Sequence, residues 1–341
     1  SLVVPASSAD HLRCARRIVD DHYPGEAAFP LPAVRSRHDR IRVAYLSADF
    51  GDHPVSHVAA GVFERHDRDR FEILGFALQS TPQPHPMRKR MEGAFERFFD
   101  VSRHSDREVA TLLRDLAVDI GVDLNGHTSG GRPGILALRP APVQVNYLGF
   151  PGTSGAQYMD YVIADPVVIP PEDEQYFVER VVRLPYAYLP YDDSRPVPLQ
   201  SPARLETSLP QTGFVFCAFN NSCKINPAMF DIWMRLLGKV PASVLWLRAA
   251  EDAVQRNLRN EATARGIAPE RLIFAPRVAA IDAHLARHRL ADLFLDTLPY
   301  NAHSTAADAL WAGVPVLTCI GNTFAGRVAA SLLTAAGLPE L

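Results

Sequence analysis

Strand-like and helix-like segments alternate along most of the chain, and this alternation restricts the fold more than any other feature of the sequence. IRVAYLS, FEILGFAL, SVLWLRA and ADLFLDT are apolar runs rich in β-branched and aromatic residues, which is typical of buried strands. Helix-like stretches such as HPVSHVAAGVFERHD and NPAMFDIWMRLLGKV follow strands of this kind, with apolar residues three or four positions apart. The alternation predicts an α/β fold with parallel sheets.

The chain has 341 residues, which is enough for about two such domains. Between Pro185 and Gly213 prolines recur and the periodicity disappears, which predicts a linker. We therefore expect an N-terminal helical or linker segment at 1–40, a Rossmann-like lobe at 41–190, a proline-rich linker at 191–212 and a second, doubly wound Rossmann-like lobe, cut short, at 213–341. Two such lobes predict an interdomain ligand cleft beyond the carboxyl ends of the strands.

Composition excludes several classes of protein. Lysine and arginine total 35 against 38 acidic residues, so the net charge is −3 and a general nucleic-acid binder is disfavoured. No apolar run reaches the roughly 18 residues of a membrane span. The four cysteines form no CxxC pair, and there is no signal-peptide pattern, so we expect reduced thiols and a cytoplasmic protein.

The segment DTLPYNAHSTAADALWAG carries the sharpest local signal. A buried strand ends at Asp296, and His303, Ser304 and Thr305 then open a helix. Free N–H groups at a helix start attract anions, so this turn is a candidate diphosphate site. Thr305 and Asp308 also have the spacing of a capping box, and the alternative is that the hydroxyls only cap the helix.

A second loop, FNNSCKINP, follows another strand and contains Asn221 and Lys224. A lysine at the carboxyl end of a strand can stabilise negative charge on a departing phosphate. The alternative is a solvated lysine, although a cation near a helix start is disfavoured by the helix dipole.

Two loops of the first lobe contain histidines. SADFGDHPVSH places His53 before Pro54, which suits the start of a helix, and its acidic neighbours suit a general base or an orienting group. A metal site is the alternative there. In LNGHTSGG, glycines surround His127 and allow close approach of a ligand to the backbone.

Together these segments resemble one family. AYLSADFGDHPVSH, LNGHTSGGRPGILALRPAPVQVNYLGFPGTSG, FNNSCKINP, LADLFLDTLPYNAHSTAADALWAGVPVLT and RVAASLLTAAGLPEL are similar to the catalytic region of O-GlcNAc transferases, over residues 41–341. The resemblance implies a GT-B fold and transfer of N-acetylglucosamine from UDP-GlcNAc to protein serine or threonine hydroxyls. It implies inversion, no metal ion and no cofactor, and a tetratricopeptide array preceding this region in the full-length protein.

The resemblance also implies roles for individual residues. Those implied as catalytic are His53, His127 and Lys224. Those implied as donor-binding are Asn221, Ala279, His284, Arg287, His303, Ser304, Thr305 and Asp308. Lys224 would stabilise the leaving UDP, and Ile281 stands where animal members have a nucleotide-contacting lysine. GDP-fucose transfer, another GT-B activity and a non-catalytic nucleotide-sugar-binding module remain alternatives.

Overall fold

A computed structural model describes residues 2–23, 29, 38–80, 85–196, 200–278 and 280–341. Two compact units make up the chain, one of residues 6–194 and one that contains residues 195–341. We call them the N-terminal unit and the C-terminal unit. In the described parts of the chain, no helix combines the length and apolar character needed to cross a bilayer.

A seven-stranded parallel sheet forms the centre of the N-terminal unit, in the order β3-β2-β1-β4-β5-β6-β7. Its strands are β1 (Ile41–Ser47), β2 (Phe71–Ala77), β3 (Arg97–Asp100), β4 (Ile120–Asp123), β5 (Val143–Asn146), β6 (Tyr161–Ala164) and β7 (Arg180–Arg183). Its helices are α1 (Ser8–His22), α2 (Pro54–Glu64), α3 (Pro86–Ala94), α4 (Asp106–Asp115) and α5 (Pro133–Ala137), with a 3-10 helix at Pro171–Tyr176. The parallel ladders confirm the expectation from strand–helix alternation.

The C-terminal unit has a five-stranded parallel sheet in the order β10-β9-β8-β11-β12. Its strands are β8 (Val215–Ala218), β9 (Val244–Arg248), β10 (Leu272–Ala275), β11 (Leu293–Leu295) and β12 (Val316–Leu317). Its helices are α6 (Pro227–Lys239), α7 (Asp252–Ala264), α8 (Ile281–His288), α9 (Ser304–Trp311) and α10 (Val328–Ala335), with 3-10 helices at Arg204–Thr207, Ser222–Lys224, Pro269–Arg271 and Phe324–Gly326. The order reverses between β8 and β11, and in such sheets ligands bind where it reverses.

Both cores are built from the apolar runs that identify the strands. In the N-terminal unit Leu46 and Phe76 pack against Leu113 of α4. In the C-terminal unit Leu245 packs with Trp233 of α6. The inner strands are apolar at nearly every position because helices cover both faces of a parallel sheet.

Two segments differ from the sequence prediction. The sequence PMRKRMEGAFERFF predicts one helix, but α3 ends at Ala94, and Arg97–Asp100 is instead strand β3, paired with β2. The aromatic residues there fit a strand better than a helix. Strands β6 and β7 were not predicted, because their short mixed sequences YVIA and RVVR give no clear periodicity.

Candidate functional site

Lys224 lies in the C-terminal unit, in the loop between β8 and α6. Its ammonium Nζ donates a hydrogen bond of 2.7 Å to the carbonyl oxygen of Asn301 and lies 3.7 Å from the ring centroid of Tyr300. Burial lowers the pKa of Lys224 to about 8, against the opposing effect of the nearby Asp296 carboxylate. Lys224 is therefore a partly buried cation held by two partners in the protein, and not the solvated lysine of the alternative interpretation.

Asp296 follows β11 and fixes the loop that faces Lys224. Its carboxylate accepts hydrogen bonds from the N–H groups of Thr297 (2.7 Å) and Ala302 (2.5 Å) and from the hydroxyl of Thr318 (2.6 Å). Burial raises the pKa of Asp296 to about 6, although these hydrogen bonds and the Lys224 charge favour the carboxylate. The carboxylate thus determines the path of the chain from β11 to α9.

Helix α9 begins at Ser304 as predicted, with His303 as its N-cap residue. The Nε2–H of His303 donates to the carbonyl of Ala325 at 3.1 Å. Burial, and then the charge of Lys224, hold the pKa of His303 well below its usual range, so this imidazole is neutral. Positive potential at this turn therefore comes from Lys224 and the backbone N–H groups of the helix start, not from the histidine.

The predicted capping box between Thr305 and Asp308 is not formed, so this prediction is wrong. Thr305 donates its hydroxyl hydrogen to Oδ1 of Asn220, 2.8 Å away. Asp308 accepts from Nη1 of Arg195 at 2.7 Å. Both side chains are taken by partners on other elements, and tertiary contacts of this kind outweigh a local spacing rule.

Asp308 is a buried carboxylate with cationic and imidazole neighbours. Besides Arg195, its Oδ2 lies 3.5 Å from Nε2 of His284 on α8. Burial would raise the pKa of Asp308, but the hydrogen bond from His284 and the charge of Arg195 outweigh it and lower the value to about 2. Asp308 is therefore ionised at neutral pH.

Arg287 completes this group. Its guanidinium donates to the carbonyl of Pro276 at 2.5 Å and to Nδ1 of His284 at 2.8 Å, and it lies 4.8 Å from the Phe219 ring centroid. Because an arginine only donates, Nδ1 of His284 is the acceptor and Nε2 carries the hydrogen that faces Asp308. Burial, and then the charge of Arg248, lower the pKa of Arg287 to about 10.

Asn221 caps the 3-10 helix Ser222–Lys224, accepting from the N–H of Cys223. It also borders a cavity of about 270 Å³ beside the end of β9 and the start of α7. The other residues that line the cavity are Ser222, Arg248, Ala249, Ala250, Glu251 and Val254. Ala279, the remaining predicted donor-binding residue, lies outside the described residues.

In the N-terminal unit, His53 caps helix α2 and Pro54 is the first helical residue, as predicted. Nδ1 of His53 lies 3.5 Å from Oδ1 of Asp49, whose Oδ2 accepts from Nδ2 of Asn125 at 2.7 Å. Burial lowers the pKa of His53, partly offset by the Asp49 carboxylate. His53 is therefore a neutral imidazole that an oriented carboxylate faces.

His127 is positioned by the glycine-rich turn that follows β5. Its Nε2–H donates to the carbonyl of Ser154 at 2.7 Å, and its ring packs edge-on against Phe150 at 5.1 Å. The turn is fixed by the buried Glu179, which accepts from the hydroxyl of Thr153 and the N–H of Ser154, both at 2.6 Å. Across the described parts of the chain, no three His, Cys, Asp or Glu side chains come together in a way that suits a metal ion.

The predicted residues thus fall into two groups, one in each unit. Within the C-terminal unit, the described donor-binding residues and Lys224 lie at the carboxyl edge of the sheet, in loops after β8 and β11 and on helices α8 and α9. His53 and His127 lie in loops after the neighbouring strands β1 and β4. The distribution agrees with the rule that ligands meet the carboxyl ends of parallel strands.

Sequence reasoning missed the residues that hold this site together. Tyr300 and Asn301 contact Lys224, and Arg195 contacts Asp308. Tyr300 and Asn301 directly precede the predicted anion site in the sequence, so their positions gave a signal. Arg195, in contrast, belongs to a proline-rich segment that the sequence predicts as a linker. Only the tertiary structure shows that Arg195 is buried.

Comparisons of the sequence with known proteins all point to one glycosyltransferase family. The sequence profile of the family described as Glycosyl transferase family 41 matches residues 14–198 and 194–341. The relative from Arabidopsis thaliana named probable UDP-N-acetylglucosamine–peptide N-acetylglucosaminyltransferase SEC is 39% identical over 304 residues, which are 88% of this chain and 31% of the relative. The SPINDLY protein of the same plant, named as a probable enzyme of the same kind, is 32% identical over 307 residues, 88% of this chain and 33% of the relative.

Among solved structures, a mutant of the O-GlcNAc transferase from Thermobaculum terrenum superposes with a TM-score of 0.87 at 33% identity, over 98% of this chain and 63% of that protein. The match confirms the expected fold class, a GT-B glycosyltransferase fold built from two Rossmann-like α/β units. The chain spans about a third of the length of the two curated relatives.

Proposed function

Since the chain belongs to glycosyltransferase family 41, we propose that it transfers N-acetylglucosamine from UDP-GlcNAc to serine or threonine hydroxyls of proteins. The names of the relatives support this activity. The observation that carries it in this chain is the partly buried Lys224 ammonium beside the start of helix α9. The proposal extends to a cytoplasmic protein whose intact form has an N-terminal tetratricopeptide array.

The C-terminal unit supplies the donor-binding chemistry in this proposal. The Lys224 ammonium and the N–H groups of Ser304 and Thr305 form a positive region suited to the diphosphate. Asp308, which Arg195 and His284 hold in place, offers further carboxylate lone pairs to a ribose hydroxyl. Asn221, His303, Arg287 and Ala279 complete the proposed donor site around the phosphates and the base.

The proposed reaction is a direct displacement with inversion. The acceptor oxygen forms a bond to the anomeric carbon, the bond from that carbon to the diphosphate oxygen breaks, and the electron pair stays on UDP. Lys224 stabilises this charge as it develops, and such preorganised stabilisation is commonly the largest catalytic contribution. No metal ion or cofactor is needed for these bond changes.

The acceptor hydroxyl must lose its proton, and we assign this role to His53, with His127 as a second active-site histidine. Since burial lowers the pKa of His53, its imidazole is neutral near pH 7, as a base must be. The Asp49 carboxylate lies 3.5 Å from Nδ1 of His53, where its charge stabilises the imidazolium that forms when the ring accepts a proton. The negative charge of Asp49 thereby favours proton uptake by His53.

Incubation of the chain with UDP-GlcNAc and a serine/threonine peptide library, followed by mass spectrometry, tests the proposal. We expect glycopeptide formation, and we expect Lys224→Met to reduce kcat about a hundredfold or more, as removal of an oxyanion-hole donor does. Lys239→Met, in the last turn of α6, is the matched control and should retain activity. Near-normal turnover of Lys224→Met would refute the electrostatic role of Lys224.

Parallel reactions separate the alternatives. GDP-fucose replaces UDP-GlcNAc in one arm, and product from GDP-fucose alone would change the assigned donor. EDTA is added in another arm, and loss of turnover that manganese restores would contradict the metal-independent reaction. UDP-GlcNAc binding without any product, in the presence of the natural flanking segments, would indicate a binding module.

A further inference from the structure

The partly buried ammonium of Lys224 has two uncharged partners in the loop that precedes α9. One partner is the carbonyl oxygen of Asn301 at 2.7 Å, and the other is the face of the Tyr300 ring, 3.7 Å from Nζ to the centroid. Both come from the loop between β11 and α9 that the Asp296 carboxylate shapes. Neither partner carries a formal charge, so the positive charge of Lys224 is not neutralised by them.

Other charged and titratable groups also face Lys224. Asp296 follows β11, Cys223 precedes Lys224 in the 3-10 helix, and His303 caps α9; each interacts electrostatically with the ammonium. The carboxylate of Asp296 accepts hydrogen bonds from Thr297 and Ala302 of its own loop. The groups that directly hold the ammonium are therefore the Tyr300 ring and the Asn301 carbonyl.

We propose that Tyr300 is a positioning residue that holds the Lys224 side chain as an ammonium, through the face of its aromatic ring, in place for a nucleoside diphosphate. A carboxylate at the same position would hold the lysine equally well but would cancel the charge that the diphosphate needs. A ring face attracts the cation by its quadrupole, and the attraction is strongest where water is excluded. The catalytic consequence of this contact rests on the function proposed above, whereas the contact itself does not.

The position of the ring is itself well determined. Tyr300 packs against the imidazole of His303 with 4.9 Å between centroids, and its backbone carbonyl accepts the hydroxyl hydrogen of Thr297. Because the ring is held on one side by α9 and on the backbone by the Asp296 loop, it does not have to be ordered when a ligand binds. Such preorganisation is what makes a charge effective in stabilising a transition state.

The chain allows a direct measurement of the Lys224 charge. It contains three lysines among 35 basic residues, at positions 89, 224 and 239. Protein labelled with lysine carrying carbon-13 at the ε position should therefore give three NMR signals, which Lys89→Arg and Lys239→Arg assign. We expect the Lys224 signal to titrate near pH 8 in the unaltered protein.

Removal of the ring should lower this midpoint. For Tyr300→Leu we expect a fall of about one pH unit, equivalent to a tenfold change in the ratio of ammonium to amine. Tyr300→Phe keeps the ring face and should keep the midpoint. Tyr186→Leu, at a tyrosine that is 76% exposed in the N-terminal unit, is the matched control and should not move it.

A second series covers the case in which Tyr300→Leu fails to fold. Phenylalanine with one, two or three ring fluorines, introduced at position 300 by nonsense suppression, keeps the ring shape while withdrawing π-electron density. We expect the Lys224 midpoint to fall stepwise with each fluorine. A midpoint that fluorination does not change, or that Tyr300→Leu leaves in place, overturns the proposal.

Kinetics then test the catalytic consequence. With the midpoint one unit lower, the kcat of Tyr300→Leu should be reduced about fivefold at pH 8 and less than twofold at pH 6.5, because less of the enzyme carries the ammonium at the higher pH. If the unaltered protein makes no glycopeptide while the Lys224 midpoint still shifts, the proposed function fails and the Tyr300 contact stands. If transfer occurs and the midpoint does not shift, the inference about Tyr300 fails alone.

Discussion

Replacement of Arg195 by methionine tests whether the proline-rich segment before β8 contributes to the C-terminal unit through a buried ion pair. Arg195 and Asp308 are both buried, with side chains 5% and 11% exposed, and their contact is 2.7 Å. Methionine preserves much of the side-chain volume but removes the charge. The substitution therefore removes the guanidinium beside the buried Asp308 carboxylate, whereas the contact with His284 stays.

Two estimates give the size of the effect. The pKa of Asp308 lies at about 2 instead of 3.8, which corresponds to about 2 kcal/mol of stabilisation at neutral pH, shared between His284 and Arg195. Breaking a buried pair by removing one partner costs about 3–5 kcal/mol, because a charge is left uncompensated. We expect Arg195→Met to lower the free energy of unfolding of the C-terminal unit by about 2–4 kcal/mol.

The sign of the pH dependence follows from the same shift. A carboxyl group whose folded pKa is depressed stabilises the protein above its unfolded pKa, and this contribution is lost as pH falls through about 2. Without Arg195, the pKa of Asp308 rises and the carboxyl group protonates earlier on acidification. The deficit of Arg195→Met should therefore shrink as the pH is lowered from 7 towards 4.

Urea unfolding followed by tryptophan fluorescence is the suitable assay. The three tryptophans, Trp233, Trp246 and Trp311, all belong to the C-terminal unit, so the signal reports on this unit alone. The second substitution Asp308→Asn in the Arg195→Met background should restore at least half of the loss, because it removes the buried negative charge that Arg195 balances in the unaltered protein. The reasoning would be refuted if Arg195→Met lowered the free energy of unfolding by less than about 0.5 kcal/mol. It would also be refuted if adding Asp308→Asn lowered that free energy again by as much as Arg195→Met alone.

Three further predictions concern the other groups. Asp49→Asn should lower the pKa of His53 further, because it removes a nearby negative charge; nitrogen-15 NMR of the imidazole measures the change, and a raised pKa would contradict the proposed pairing. Glu179→Gln should cost about 1–3 kcal/mol and increase hydrogen exchange at the Ser154 amide, since an NH2 group replaces a buried acceptor; unchanged exchange there would contradict its role in the turn. UDP-GlcNAc binding should take up protons at pH 8.5 but not at pH 6.5 as the diphosphate recharges Lys224; calorimetry in buffers of different ionisation enthalpy measures this uptake, and equal uptake at both pH values would contradict it.

The sequence predicts the central strands well because their identity depends on local composition. Strands β1 and β8 are buried on both faces, so nearly every residue in them is apolar, and the pattern is readable without knowledge of their neighbours. Strand β7 lies at the edge of its sheet, and its sequence RVVR has no apolar run, with Arg180 and Val182 exposed and Val181 and Arg183 half-buried. An edge strand of this kind is defined by pairing with its neighbour, which is a contact distant in sequence.

The candidate site shows the same division. The helix start at Ser304 was predictable, because it depends on a strand, a loop and a periodic segment that follow each other in the chain. The partners of Thr305 and Asp308 were not, because Asn220 and Arg195 are 85 and 113 residues away in sequence. Spacing rules identify which groups are available for capping, whereas the fold decides which of the competing acceptors and donors lie within reach.

Position 224 is a lysine in a chain whose cations are mostly arginines, and the surroundings of this side chain explain the difference. The chain uses 3 lysines and 32 arginines, so arginine is its ordinary cation. A guanidinium has five donors in a rigid fork, and each one that is buried needs an acceptor. The loop between β11 and α9 offers Lys224 one carbonyl oxygen and one ring face, which suit a compact ammonium on a flexible stem. An arginine there would bury donors that these two partners cannot satisfy, whereas the compact ammonium of the lysine contacts both of them.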